Sequence, residues 1–92
     1  MSAARQHVVI VNKRGLHARA SAKFVEAVSH LPPANSVRVS KDGADAAGGS
    51  ILGLMMLGAA KGDTIEIEVD GAEAEFALER LVTLVATGFG EE

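Results

Sequence analysis

The residues of this chain able to carry chemistry near neutral pH are three histidines, a serine behind two glycines, and a few arginines. There is no cysteine, so disulfides and thiolate metal sites are both excluded. Of the histidines, His17 has the most productive setting. It sits where Asn12-Lys13-Arg14-Gly15 gives way to an amphipathic segment, with Arg19 two residues further on. A helix N-terminus presents unpaired backbone N–H groups and about half a positive charge, which makes it a ready phosphate site. An imidazole placed there can serve as nucleophile and as leaving group, because its protonation switches near neutral pH. The residues alone leave two readings of His17 open, a helix cap or a group that accepts and returns a phosphoryl. Arg19 likewise reads either as a solvated first-turn residue or as a cation for an anion. Since a cation opposes the helix dipole at that end, the second purpose gains some weight. His7 opens a strand with no chemical neighbour in sequence, and His30 lies in the last turn before Pro32, where a cation suits a helix C-terminus.

The elements that must position these groups follow from periodicity. His7 to Val11 reads as a first strand with β-branched residues on both faces. From His17 to Leu31 the positions Ser21, Phe24, Val25, Val28 and Leu31 form a helical stripe, and Pro32-Pro33 ends it. Ser36-Val37-Arg38-Val39-Ser40 alternates cleanly, Asp42-Gly43 signals a hairpin, and Ala44 to Ala47 is the returning strand. Gly48-Gly49-Ser50 opens a short apolar helix over Ile51 to Leu57, closed by Gly58. Thr64 to Val69 alternates strictly and is the best strand in the sequence. Ala72 to Thr87 carries Ala74, Leu78, Leu81 and Val85 on one face, and Gly88 ends it.

Strand, helix, strand, strand, short helix, strand, helix is the resulting order. Alternating strands leave one sheet face wet, so the sheet is antiparallel and the helices share the other face. There Phe24, Val28, Leu81 and Val85 would meet Ile65, Ile67 and Val69. The pattern fits an α+β open-faced β-sandwich, with a ferredoxin-like fold as its rival. The rival gives no reason for the short Ile51–Leu57 helix.

Ser50 has two compatible readings, as N-cap of that short helix and as a modifiable hydroxyl at a helix start. Ile51, Leu52, Met55 and Met56 pose a choice between core and interface. A short helix cannot bury every side, and methionine adapts to several partners in turn. Gly53 weakens the helix but admits close approach of another backbone. Glu73, Glu75 and Glu79 read as helix-start dipole compensation and solvated surface, and Glu91-Glu92 as a frayed tail.

Ninety-two residues are enough for one domain, spanning 1–92, with a modest core. A net charge of −3 and a pI near 5.6 argue against general nucleic-acid binding, and three phenylalanines are too few for a base-stacking platform. The only early apolar run, Val8 to Val11, is far shorter than a signal-peptide core or a membrane span. The expectation is a cytoplasmic protein that does not engage a membrane. No metal-ligand cluster, second general base or Ser-His-Asp arrangement is visible, and no cofactor is implied.

Gly15-Leu16-His17-Ala18-Arg19, with Lys23-Phe24-Val25 behind it, resembles the active-site segment of the HPr family, the histidine phosphocarriers of the phosphoenolpyruvate-dependent phosphotransferase system. The resemblance extends to Ser50 through Gly58 and to Ala60-Lys61-Gly62-Asp63, and it covers nearly the whole chain. The Met55-Met56-Leu57 run and the ending Ala86-Thr87-Gly88-Phe89 look nearest to the family's nitrogen-related branch. The resemblance implies the HPr-like open-faced β-sandwich, a four-stranded antiparallel sheet with three helices on one face in the order βαββαβα. It also implies that His17 takes a phosphoryl group on Nδ1 from enzyme I and passes it to an EIIA-type protein. The chain is then a phosphoryl-transfer component rather than an independent enzyme, and a monomer. Backbone N–H groups of Ala18 and Arg19 would meet the phosphate, with the Arg19 guanidinium screening its charge. Ser50 would be the regulatory target of an HPr kinase/phosphorylase, although Gly48-Gly49 lack the positive side chain sometimes found before it. Ile51, Leu52 and Met55 would form the docking patch, with Leu54 and Leu57 turned inward. The alternative is a regulatory binding module that transfers nothing and works through Ser50 and that patch.

One departure stands out. Many members carry proline where this chain has Ala20. Alanine keeps a backbone N–H that proline lacks, so Ala20 is expected to be a further donor to the phosphoryl group.

Overall fold

A computed structural model describes residues 3–91. The elements are β1 (Ala3–Val9), α1 (Ala18–Ser29), β2 (Ser36–Lys41), β3 (Ala44–Ala47), α2 (Ile51–Met56), β4 (Thr64–Asp70) and α3 (Ala74–Ala86), followed by a tight turn over Gly88–Gly90. The four strands form one antiparallel sheet in the order β1-β4-β2-β3. The architecture is therefore the expected βαββαβα sandwich, and it has no ferredoxin-like alternative to contend with.

Alternation along the strands decides which face is covered. Ile65, Ile67 and Val69 of β4 and Val37 and Val39 of β2 are buried, and they pack with Phe24 of α1, Leu54 of α2, and Leu78, Leu81 and Val85 of α3. The residues between them face water. On that open side Arg5 pairs with Glu68 at 3.1 Å and Arg38 reaches Asp45 at 3.4 Å, contacts that contribute little in solvent. The helix stripe on α1 is narrower than its apolar residues suggest. Ala20, Ser21 and Phe24 are buried, whereas Val25, Val28 and Leu31 are only partly covered.

Several element ends differ from expectation, α1 stopping at Ser29 rather than Leu31 among them, and the shifts in β1 and α3 have identifiable causes. β1 begins at Ala3 rather than His7, because β4 offers a full-length partner from Ala3↔Asp70 to Val9↔Thr64. It also stops before Val11. Ile10 leaves the ladder, donating its N–H to the Asp63 carbonyl at 2.9 Å and accepting from the Gly62 N–H at 2.8 Å. α3 begins at Ala74 rather than Ala72, since Glu73 takes a left-handed conformation (φ 56°) and makes no side-chain cap. Glu75 is then the acidic residue of the first turn, and Glu79 lies beyond it. Gly53 has side chains, rather than another backbone, as its closest neighbours. The atoms nearest to a Cβ placed there are the Ser50 hydroxyl at 3.1 Å and the Ala46 methyl at 3.3 Å.

Candidate functional site

The site is built by what fixes the chain just before α1. Gly15 is left-handed (φ 65°), and a Cβ on it would lie 2.4 Å from the Ala59 carbonyl oxygen. No other residue fits both the dihedral and the space. Leu16 then donates its N–H to that same carbonyl at 3.0 Å, so the loop after α2 clamps the residues leading to His17. Ser21, fully buried, donates its hydroxyl to the Leu16 carbonyl at 3.2 Å.

His17 is the N-cap of α1, in extended conformation, and its carbonyl accepts the Ser21 N–H at 2.9 Å. Its ring does the capping: the Arg19 N–H donates to Nδ1 at 3.3 Å, a long bond. At the opposite ring nitrogen, Nε2 lies 2.7 Å from the Glu91 carboxylate. A nitrogen that accepts from an amide carries a lone pair, and one that contacts a carboxylate carries the proton. The neutral ring with both contacts therefore holds its proton on Nε2 and its lone pair on Nδ1. Both readings of His17 are thus compatible, since the lone pair able to attack an electrophile is the one that caps the helix. Ala18, Arg19 and Ala20 occupy the first three helical positions, where backbone N–H groups have no intrahelical partner.

Lys13, Arg14, Arg19, His17 and Glu91 line an open depression of about 310 Å³. Three cations around one imidazole make it an anion-attracting surface. Lys13 and Arg14 were not singled out from sequence, where they read only as a polar loop. No residue of α2 lines this depression, so Ser50 and the apolar patch lie outside it.

Glu91 overturns its expectation as part of a frayed tail (Glu92 lies outside the described residues). Gly88, Phe89 and Gly90 have φ of 70°, 58° and 75°, a left-handed turn that folds the chain back after α3. Phe89 is buried in the core, and Lys23 of α1 donates to its carbonyl at 2.8 Å. The turn delivers Glu91 to His17. Asn12, 2% exposed, braces it by donating Nδ2 to Glu91 Oε1 at 3.2 Å and to the Gly15 carbonyl at 2.8 Å. The second acceptor on each side forces that amide orientation and leaves Oδ1 without a partner among the described residues. The hydrogen bond from His17 holds the Glu91 carboxyl below the usual glutamate range. Partial burial opposes this, and the Asn12 bond and the fields of His17 and Lys23 assist it. A phenylalanine between two glycines was the available signal, because a chain anchored by a buried aromatic cannot fray at that point.

On α2, Ser50 is the N-cap, its hydroxyl accepting the Gly53 N–H at 2.9 Å. Leu54 is fully buried and Leu57 partly so, whereas Ile51, Leu52, Met55 and Met56 are exposed, Leu52 to 67% and Met56 to 77%. The reading in which all of them are core is excluded. α2 packs against α1, which places this apolar strip on the helix beside the one that His17 caps.

A family model described as "PTS HPr component phosphorylation site" matches residues 4–87. The chain belongs to the HPr family. It is 47% identical to the phosphocarrier protein HPr of Neisseria meningitidis over 87 residues, which cover 95% of this chain and 96% of the relative. It is 36% identical to the phosphocarrier protein NPr of Escherichia coli K12 over 88 residues, 96% and 97% of the two chains. Among solved structures, HPr-C-His from Thermoanaerobacter tengcongensis superposes with a TM-score of 0.88 at 36% identity, covering 97% of this chain and 98% of that one. The HPr of Bacillus anthracis gives 0.85 at 33%, covering 92% and 99%. HPr family membership supports a phosphocarrier role in the phosphotransferase system. No helix among the described residues is long and apolar enough to cross a membrane, and no cluster of three or more metal-binding side chains occurs among them.

Proposed function

We propose that this chain, acting as one unit over residues 1–92, accepts a phosphoryl group on Nδ1 of His17 from phosphoenzyme I and passes it to an EIIA-type protein. The observation that carries the reading is Nδ1 of His17 accepting the Arg19 N–H at the first turn of α1, in a depression that Lys13, Arg14 and Arg19 also line. Phosphoryl transfer asks for little covalent work from a protein beyond positioning and charge stabilisation. The arriving oxygens would take over the Arg19 N–H that caps Nδ1 and find the N–H groups of Ala18 and Ala20 beside it. The 3.3 Å cap bond is weak enough to surrender. Stabilisation must remain moderate, since a carrier that holds its cargo too tightly cannot pass it on.

Ile51, Leu52 and Met55 serve in this reading as the docking patch for donor and acceptor, with Met56 at its margin. Ser50 is the regulatory position. A phosphate on it gains from the helix N-terminus while adding about two negative charges beside that apolar strip. The cell compartment that fits this traffic is the cytoplasm, with the chain as a freely diffusing monomer. The second reading, a binding module that transfers nothing, draws on the exposed strip and Ser50 alone and assigns no work to His17.

Incubation with phosphoenolpyruvate and enzyme I, followed by intact mass measurement, separates the two. An acid-labile, alkali-stable adduct that disappears in His17→Ala identifies the carrier. A chain that stays unmodified under conditions that charge a known HPr is the binding module.

A further inference from the structure

The C-terminal turn is more than a lid on the core, because it brings a carboxylate to the side of the imidazole away from the proposed phosphoryl. We propose that Glu91 is a positioning residue that keeps a proton on Nε2 of His17 and stabilises the positive charge that the ring acquires when Nδ1 takes up phosphorus. The inference rests on the reading of His17 as phosphoryl acceptor and deepens it.

The chemistry of the step sets the requirement. The Nδ1 lone pair forms a new N–P bond while the N–P bond of a phosphohistidine donor breaks, and the electron pair of the broken bond returns to the donor ring. No proton moves. The accepting ring was neutral with its proton on Nε2, and it becomes an imidazolium bearing phosphoryl on one nitrogen and hydrogen on the other. Charge therefore develops on the ring during the transfer, and a fixed carboxylate at Nε2 acts where that charge appears. The arrangement also keeps the phosphorylated ring a good leaving group, as onward transfer needs.

Four observations make this a built arrangement rather than a chance contact. The Nε2–Glu91 distance is 2.7 Å, with both side chains mostly covered. Asn12, itself buried, holds the other carboxylate oxygen. Phe89 anchors the segment in the core, and Lys23 pins its carbonyl. Finally, Lys13, Arg14 and Arg19 line the same depression as Glu91 and His17, and the fields of His17 and Lys23 favour the carboxylate form.

Steady-state phosphoryl transfer from enzyme I to the full chain, with the equilibrium partition of phosphoryl between the two, tests the proposal. The variants are Glu91→Gln, which keeps a hydrogen-bond acceptor but no charge, Glu91→Asp, which keeps the charge, and Glu91→Ala. Glu91→Gln and Glu91→Ala should lower kcat about tenfold and shift the partition about tenfold toward enzyme I. KM should change less than about twofold, since docking is untouched. Glu91→Asp should recover part of the loss. The wild-type to Glu91→Gln rate ratio should fall toward one as pH drops below the glutamate range, where the wild type also loses its charge. Wild-type kcat and partition in Glu91→Gln, with His17 still phosphorylated, overturn the inference and leave the carrier reading intact. A defect in Glu91→Ala that Glu91→Gln repairs fully also overturns it, because orientation without charge then suffices. Absence of phosphoryl on His17 in the wild type defeats the carrier reading itself.

Discussion

At the scale of single residues, the proposed nucleophile is the atom that caps the helix. Nδ1 of His17 satisfies the Arg19 N–H, so a phosphoryl placed there would exchange one acceptor for another and leave no orphan donor. Ala20 extends this logic. It is the third residue of α1, its N–H faces the same end of the helix, and its methyl is fully buried. Ala20→Pro removes that donor and also pushes ring atoms into filled space. The expected cost to stability is about 1–3 kcal/mol, measured by urea melts, rather than the near-neutral effect that helix rules alone suggest. Phospho-His17 in the variant should hydrolyse roughly two- to tenfold faster, as befits one lost hydrogen bond to an anion. An unchanged or longer lifetime, followed by phosphorus NMR, would remove Ala20 from the phosphate-binding set.

At the scale of elements, α1 and α2 begin in the same way, with a side chain bonded to a backbone N–H of the first turn. His17 caps α1, and Ser50 caps α2 through Gly53. Modifying Ser50 would therefore compete with its cap while placing charge next to Ile51, Leu52 and Met55. Ser50→Asp can still cap a helix, so α2 should persist, with unchanged far-ultraviolet dichroism. Transfer from enzyme I to this variant should weaken, mainly through KM and by roughly tenfold, as charge at an apolar contact is costly to desolvate. Equal KM in Ser50→Asp and wild type would withdraw the regulatory claim. These two helix starts were legible because capping is local. The caps, the hairpin at Asp42-Gly43 and the alternation of β4 all act within a few residues, so periodicity and turn chemistry exposed them. The start of β1 was not legible, since Ala3 to Gln6 have no strand signature and are extended only because Asp70 to Ile67 lie opposite.

At the scale of the whole molecule, the site is closed by residues far apart in sequence: Glu91 bonds both Asn12 and the His17 ring, and Lys23 holds the Phe89 carbonyl of the turn that delivers it. Contacts spanning more than 70 positions, as Glu91 makes to His17 and Asn12, leave no trace in local periodicity. The charged ending Glu91-Glu92 accordingly read as a solvated tail. The fold instead favours ionised Glu91, and this makes the C-terminal clasp dependent on pH in a definite direction. A carboxyl whose value in the folded state is depressed contributes stability above its unfolded value and loses that contribution as pH falls through the folded one. Wild type should therefore resist urea better than Glu91→Gln near neutral pH, with the difference constant down to the ordinary glutamate range. It should then shrink to nothing in stronger acid, where both side chains are uncharged. Paired urea titrations across that range supply the measurement. A gap between the two proteins that stays constant, or widens, as the acid strengthens would mean that the ionised carboxylate does not hold the clasp shut.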